Sequence, residues 1–107
     1  MTEQQLQIVA TDILFYHNAD EEAFIGWIDR MTFVREAYGL GRDMFLILNR
    51  FPTDDDLREI IGFCKRYGVG MSQLAKFETK ENSVWMRDPE KFWCNEIFGI
   101  LRNAKGS

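Results

Sequence analysis

The sequence predicts an α+β fold: a small, mostly antiparallel sheet in the order β-α-β-β-α, packed by helices, with a helical C-terminal third. Three observations carry this. Two helix-period apolar stripes, Phe24 to Met31 and Leu57 to Cys64, flank two short strand-like runs joined through glycines. Beyond Gly70 only short helical pieces follow. A chain of 107 residues, 46% hydrophobic and 14% aromatic, is the size of one domain (1–107) and can bury a real core without staples.

Leu6 to Tyr16 (LQIVATDILFY) is rich in β-branched and aromatic residues and reads as a strand, with a bulge expected near Thr11–Asp12. His17-Asn18-Ala19-Asp20 is a turn, and Asn18 or Asp20 is the expected cap of a helix over Asp20–Met31. Phe24, Trp27, Ile28 and Met31 recur along it at i, i+3, i+4 and i+7, one apolar stripe. Thr32–Tyr38 and Asp43–Asn49 read as two strands joined by Gly39-Leu40-Gly41-Arg42, whose glycines supply positive φ. Met44 to Leu48 (MFLIL) is apolar at every position, as a central strand covered on both faces would be. Thr53 caps a second helix, Asp54–Tyr67, with Gly68 as its C′ residue and Leu57, Ile60, Ile61, Cys64 and Tyr67 as its stripe.

Ser72–Phe77 and Asn82–Met86 are short helical pieces, the first with Leu74 and Phe77 on one side. Asp88-Pro89 is a helix start, with proline at the first helical position, and the helix it opens runs from Pro89 to Phe98. Lys105-Gly106-Ser107 reads as a frayed tail. No 18-residue apolar run is present, and Met1–Gln7 is polar, so neither a membrane span nor a signal peptide is expected. Cys64 and Cys94 sit among apolar neighbours; the sequence leaves a disulfide between them open, and favours two buried thiols in a reducing compartment, the cytoplasm.

The charge layout speaks to function. The first 29 residues carry six acids and no Lys or Arg. Through Gly62 there are 12 acids against 5 bases; the remainder holds 5 against 8, giving the net charge of −4. An anionic surface repels nucleic acid and steers a cationic partner. The densest acids, Asp20-Glu21-Glu22 and Asp54-Asp55-Asp56, are the candidate partner-binding residues, although one or two acids in each cluster would serve the helix dipole alone.

No catalytic constellation emerges. His17 is the only histidine and has no nucleophile motif beside it, so it reads as a hydrogen-bonded turn residue. Gly39-x-Gly41 lacks the further glycine or Lys-Ser/Thr of a phosphate loop. One His and two scattered Cys give no metal spacing, and the acids lack the pattern of a calcium loop, so neither metal nor cofactor is expected. Trp85, Phe92, Trp93 and Phe98 read first as core. Stacking on nucleic acid would need a basic groove, and Lys65, Arg66, Lys76 and Lys80 form only a sparse set.

Two stretches carry a resemblance: ADEEAFIGWIDRM (Ala19–Met31), and RYGVGMSQLAKF (Arg66–Phe77) followed by ENSVWMRDPEKFWCNEIFG (Glu81–Gly99). Together they resemble a family of small bacterial immunity proteins encoded beside polymorphic toxins, of the contact-dependent growth inhibition kind. The likeness spans most of residues 13–99 and rests on apolar and aromatic positions. Gly70 stands where the family pattern has Asp. The resemblance implies a non-enzymatic inhibitor that binds a cognate toxin domain, often a nuclease, in the cytoplasm. It transfers no functional residues, because immunity proteins diversify at the surface that meets the toxin. Charge layout and resemblance converge on a basic protein partner. The alternative is a small-molecule-sensing or adaptor domain that uses the aromatic C-terminal segment as a pocket.

Overall fold

Strand β1 runs Gln7–Thr11 and ends where Asp12 turns the chain away at a φ of 54°. The strand expected to reach Tyr16 is therefore cut short, and no bulge forms at Thr11–Asp12. Aspartate tolerates the left-handed region better than most residues. Here Asp12 is also held by Arg42, whose guanidinium donates two hydrogen bonds of 2.7 Å to its carboxylate. The computed structural model describes residues 6–99, so the expected tail Lys105–Ser107 lies outside it. The chain forms two compact units, one up to Val69 and one from Gly70.

The first unit holds a three-stranded antiparallel sheet in the order β1-β3-β2. Strand β2 spans Val34–Leu40 and β3 spans Asp43–Leu48, so the apolar MFLIL run is central, as its composition predicts. Only Gly41 and Arg42 form the connecting loop. Gly41 has φ 64°, which suits the first central position of a two-residue hairpin turn, whereas Gly39 is ordinary strand. The four-residue loop read from the sequence is thus two residues shorter, and β2 starts and ends two residues later than expected. Ile8, Ala10, Leu46 and Leu48 fill one buried face, while Val9, Phe45 and Ile47 on the other face are half-buried.

Helix α1 (Asn18–Arg30) begins two residues before the expected Asp20, because His17 is the cap. Its Nδ1 accepts the Ala19 N–H at 3.0 Å. Helix α2 (Asp54–Tyr67) has the predicted bounds. The Thr53 hydroxyl accepts the Asp56 N–H at 3.1 Å and the Asp56 carboxylate accepts the Thr53 N–H at 3.0 Å, a reciprocal capping box. Gly68, at φ 73°, ends the helix in the left-handed conformation that glycine adopts without strain. Phe24 meets Phe63 and Tyr67 at 5.0 and 4.9 Å between ring centroids. Trp27 meets Phe63 edge-on at 5.2 Å and donates its Nε1–H to Glu59 at 2.9 Å. Trp27 is half-buried rather than central to the α1 stripe; Phe24, Ile28 and Met31 are the buried members, and on α2 the buried set also includes Phe63.

In the second unit a 3-10 helix (Ser72–Phe77) buries Leu74 and Phe77, as expected. Asn82, 3% exposed, accepts the Thr79 N–H at 2.7 Å and donates to the Phe77 carbonyl at 2.9 Å, tying this helix to the short α3 (Ser83–Met86). Helix α4 spans Phe92–Phe98, three residues shorter than expected at its start. Asp88 does not cap a helix through Pro89; its carboxylate accepts the Glu90 N–H at 2.9 Å and its carbonyl accepts the Lys91 N–H at 3.1 Å, so Asp-Pro forms a turn. Cys64 and Cys94 are both free and buried, and burial pushes the Cys64 thiol up to about 12.

Candidate functional site

The two acidic clusters lie at opposite ends of the helix pair. Asp20, at the start of α1, meets Arg66 near the end of α2 at 3.4 Å, whereas Trp27, near the end of α1, bonds Glu59 in the first half of α2. The helices therefore run antiparallel, and the 14 residues of α2 put Asp54–Asp56 roughly 20 Å from Asp20–Glu22. The single anionic end expected from the sequence is divided in two. Each cluster also occupies a helix N-terminus, where the dipole stabilises carboxylates.

Within each cluster one acid is committed inside the fold. Asp20 accepts the Tyr16 N–H at 3.2 Å and pairs with Arg66. Asp56 is 7% exposed and accepts two hydrogen bonds of 3.1 Å from Arg50 in addition to closing the capping box. Burial would raise its carboxyl; the Arg50 guanidinium and the Thr53 N–H outweigh that and hold it below the usual carboxylate range. Glu21, Glu22, Asp54 and Asp55 are exposed and available to a partner.

Sequence reasoning missed the exposed apolar residues of the first unit. Leu14 (65% exposed), Tyr16 (83%) and Leu40 (68%) stand on the β1–α1 connection and the β2–β3 hairpin. The Asp12–Arg42 pair and the Asp12 N–H to Arg42 carbonyl bond of 2.9 Å clamp these two segments together. A cavity of about 310 Å³ is lined by the clamping Asp12 and Arg42 together with Ala10, Ile13, Phe15, Phe24 and Met44. A groove of about 420 Å³ runs beside it between α1 and β2, with Ile25, Ile28 and Asp29 on one wall and Val34, Glu36 and Tyr38 on the other. Gly39 and Met44, cross-strand partners, line both. A sequence signal existed for Ile25, which falls on the polar side of α1, off the Phe24–Ile28–Met31 stripe. None existed for Leu40, which reads as part of a turn until the hairpin is seen.

The remaining candidates are held by local contacts. Exposed His17 is held as the α1 cap, its Nδ1 accepting the Ala19 N–H. Trp85 and Trp93 meet edge-on at 5.8 Å, Phe92 meets Trp93 at 5.3 Å, and the Arg87 guanidinium lies 4.0 Å above Phe98. These aromatics are half-buried or exposed rather than fully in a core, and none of them lines either cavity above. Among the described residues no group of three or more His, Cys, Asp or Glu is placed to hold a metal ion, and no helix is long and apolar enough to cross a membrane. No family model, curated protein or solved structure matches the chain.

Proposed function

We propose that this chain is a non-enzymatic immunity protein that neutralises a cationic toxin domain, of the nuclease kind, by occupying it in the cytoplasm. One observation carries the reading: exposed apolar residues and exposed carboxylates lie on the same elements of the first unit. Leu14, Tyr16, Ile25, Tyr38 and Leu40 are at least 39% exposed, and Glu21, Glu22, Asp29 and Glu36 lie on the same elements. Apolar anchors beside a polar rim are the anatomy of a protein interface, in which the anchors slow dissociation and the charges speed encounter. A basic surface that normally meets nucleic acid is the complementary shape in charge.

The test is co-expression with the protein encoded by the reading frame directly upstream as the candidate toxin, followed by titration of the purified pair. Protection with one-to-one stoichiometry is the expected result. Neutralisation by sub-stoichiometric amounts would mean turnover and would overturn an occupancy mechanism.

A further inference from the structure

We propose that the outer edge of β2, from Ala37 to Leu40, takes up an extended segment of the partner carrying alternating apolar and basic side chains, as a fourth strand of the sheet. This rests on the binding reading above and names the surface and the recognised chemistry.

The hydrogen-bond register exposes the edge. Gly41–Arg42 is a two-residue loop, so Leu40 and Asp43 close the hairpin as a bonded pair, and bonding then alternates along the ladder. The bonds at the sheet ends agree: the Asn49 N–H donates to Phe33 on the β2 side, while the Leu48 N–H donates to Leu6 and the Asp12 N–H to Arg42 on the β1 side. Odd-numbered residues of β3 thus face β2, and on β2 Tyr38 and Glu36 are spent on Phe45 and Ile47. The N–H and C=O groups of Ala37 and Gly39 point outward, and β2 has no strand on that side among the described residues. Both residues are exposed.

Proteins blunt such edges with bulges and charge. The first half of β2 is guarded in this way, by an irregularity between Val34 and Glu36 and by the charged pair Arg35–Glu36. Ala37-Tyr38-Gly39-Leu40 carries neither device. The two outward-bonding residues are also the smallest, and their side of the sheet opens onto the groove walled by Ile25 and Ile28. A methyl group built on Gly39 would meet nothing nearer than the Asp43 carbonyl at 3.8 Å, so there is room for a neighbouring strand's side chain. Alternate side chains of an added strand would fall into that groove and against the stacked Tyr38–Phe45 rings, 5.2 Å apart. The charge beside the edge selects the occupant. Asp29 and Glu36 line the groove with Arg35 as its one basic lining residue among those described, and Glu22 continues the exposed Ile25–Asp29 stripe of α1, which Arg30 follows. An acidic strand would be repelled, and a basic one attracted.

The experiment uses Ala37→Pro. It deletes an outward N–H and no bond within the sheet, a position where an edge strand tolerates proline; Tyr38→Pro deletes an inward bond and serves as the destabilised contrast. Amide shifts of the ¹⁵N-labelled parent are followed with a blocked alternating valine–lysine peptide and its valine–glutamate counterpart. Shifts centred on Ala37 and Gly39 with the lysine peptide only are expected; shifts elsewhere, or equal shifts with the glutamate peptide, overturn the edge. With the upstream toxin domain, Ala37→Pro should bind about tenfold more weakly or worse while melting like the parent. Equal affinity overturns the edge and leaves the immunity reading standing. Failure of the parent to bind that domain removes the immunity reading, and the peptide titration still decides the edge. A parent that dimerises where Ala37→Pro is monomeric would show a second copy as the occupant, against the proposal.

Discussion

Asp56→Ala should destabilise the first unit by about 2–3 kcal/mol, because three separate contributions end at one carboxylate. It accepts the Thr53 N–H at 3.0 Å, a charge-assisted cap bond that contributes about 1 kcal/mol. It accepts both Arg50 bonds, but Arg50 is half exposed and stays solvated when the acid is gone, so this pair contributes only about 1 kcal/mol. Its charge against the α2 dipole adds roughly 0.5 kcal/mol. For a chain of this length each kcal/mol moves Tm by about 4 °C, so the variant should melt about 8–12 °C below the parent at pH 7. The effect carries a pH signature. The folded carboxyl is held below its unfolded value of about 3.9, so its stabilisation is present above that pH and lost as pH falls through the lower folded value. Urea unfolding of parent and variant from pH 7 down to pH 3 should therefore show a gap that is constant near neutrality and narrows below about pH 4. Asp54→Ala and Asp55→Ala, at exposed positions, should each stay within about 0.5 kcal/mol of the parent. A variant at Asp56 that unfolds with the parent, or a gap that widens on acidification, would refute the capping and ion-pair account.

Trp27→Ala should cost about 2–3 kcal/mol in urea unfolding, less than a fully buried tryptophan, since the side chain is only partly buried and Glu59 can be rehydrated. A loss under about 1 kcal/mol would show that the Phe63 contact contributes little. His17→Ala removes the α1 cap and should lower stability by about 0.5–1 kcal/mol while leaving protection in co-expression intact. Loss of protection in a variant that melts normally would count against occupancy. Glu21→Lys with Glu22→Lys should slow association with the upstream toxin domain several-fold at low salt and less at high salt, whereas Asp54→Lys with Asp55→Lys, at the far end of the helix pair, should do much less. Equal slowing by both pairs, measured by stopped flow, would mean that the whole charge rather than one side steers the encounter.

What the sequence determined by itself was whatever local chemistry controls. Thr53 and Asp56 are three residues apart, a capping-box spacing, and Gly68 follows the last stripe residue, so both ends of α2 could be read off directly. The all-apolar MFLIL run read as a central strand and β3 is central, although only its Leu46–Leu48 face is fully buried and the Phe45–Ile47 face is half-buried. Local chemistry misled where two local solutions compete. Asp88 can cap a helix or close a turn, and the turn won; His17 took the cap that Asn18 and Asp20 also offered. Tertiary structure alone decided how the candidate residues are arranged. Adjacent acids in sequence gave two promising clusters, yet the antiparallel crossing of α1 and α2 carried them to opposite ends and spent Asp20 on Arg66 and Asp56 on Arg50. The exposed edge of β2 was equally invisible, since a strand's sequence fixes which way its side chains alternate but not which neighbour its backbone will meet. Backbone pairing is a property of topology, so the groups left over for a partner become defined only once the sheet has closed around β3.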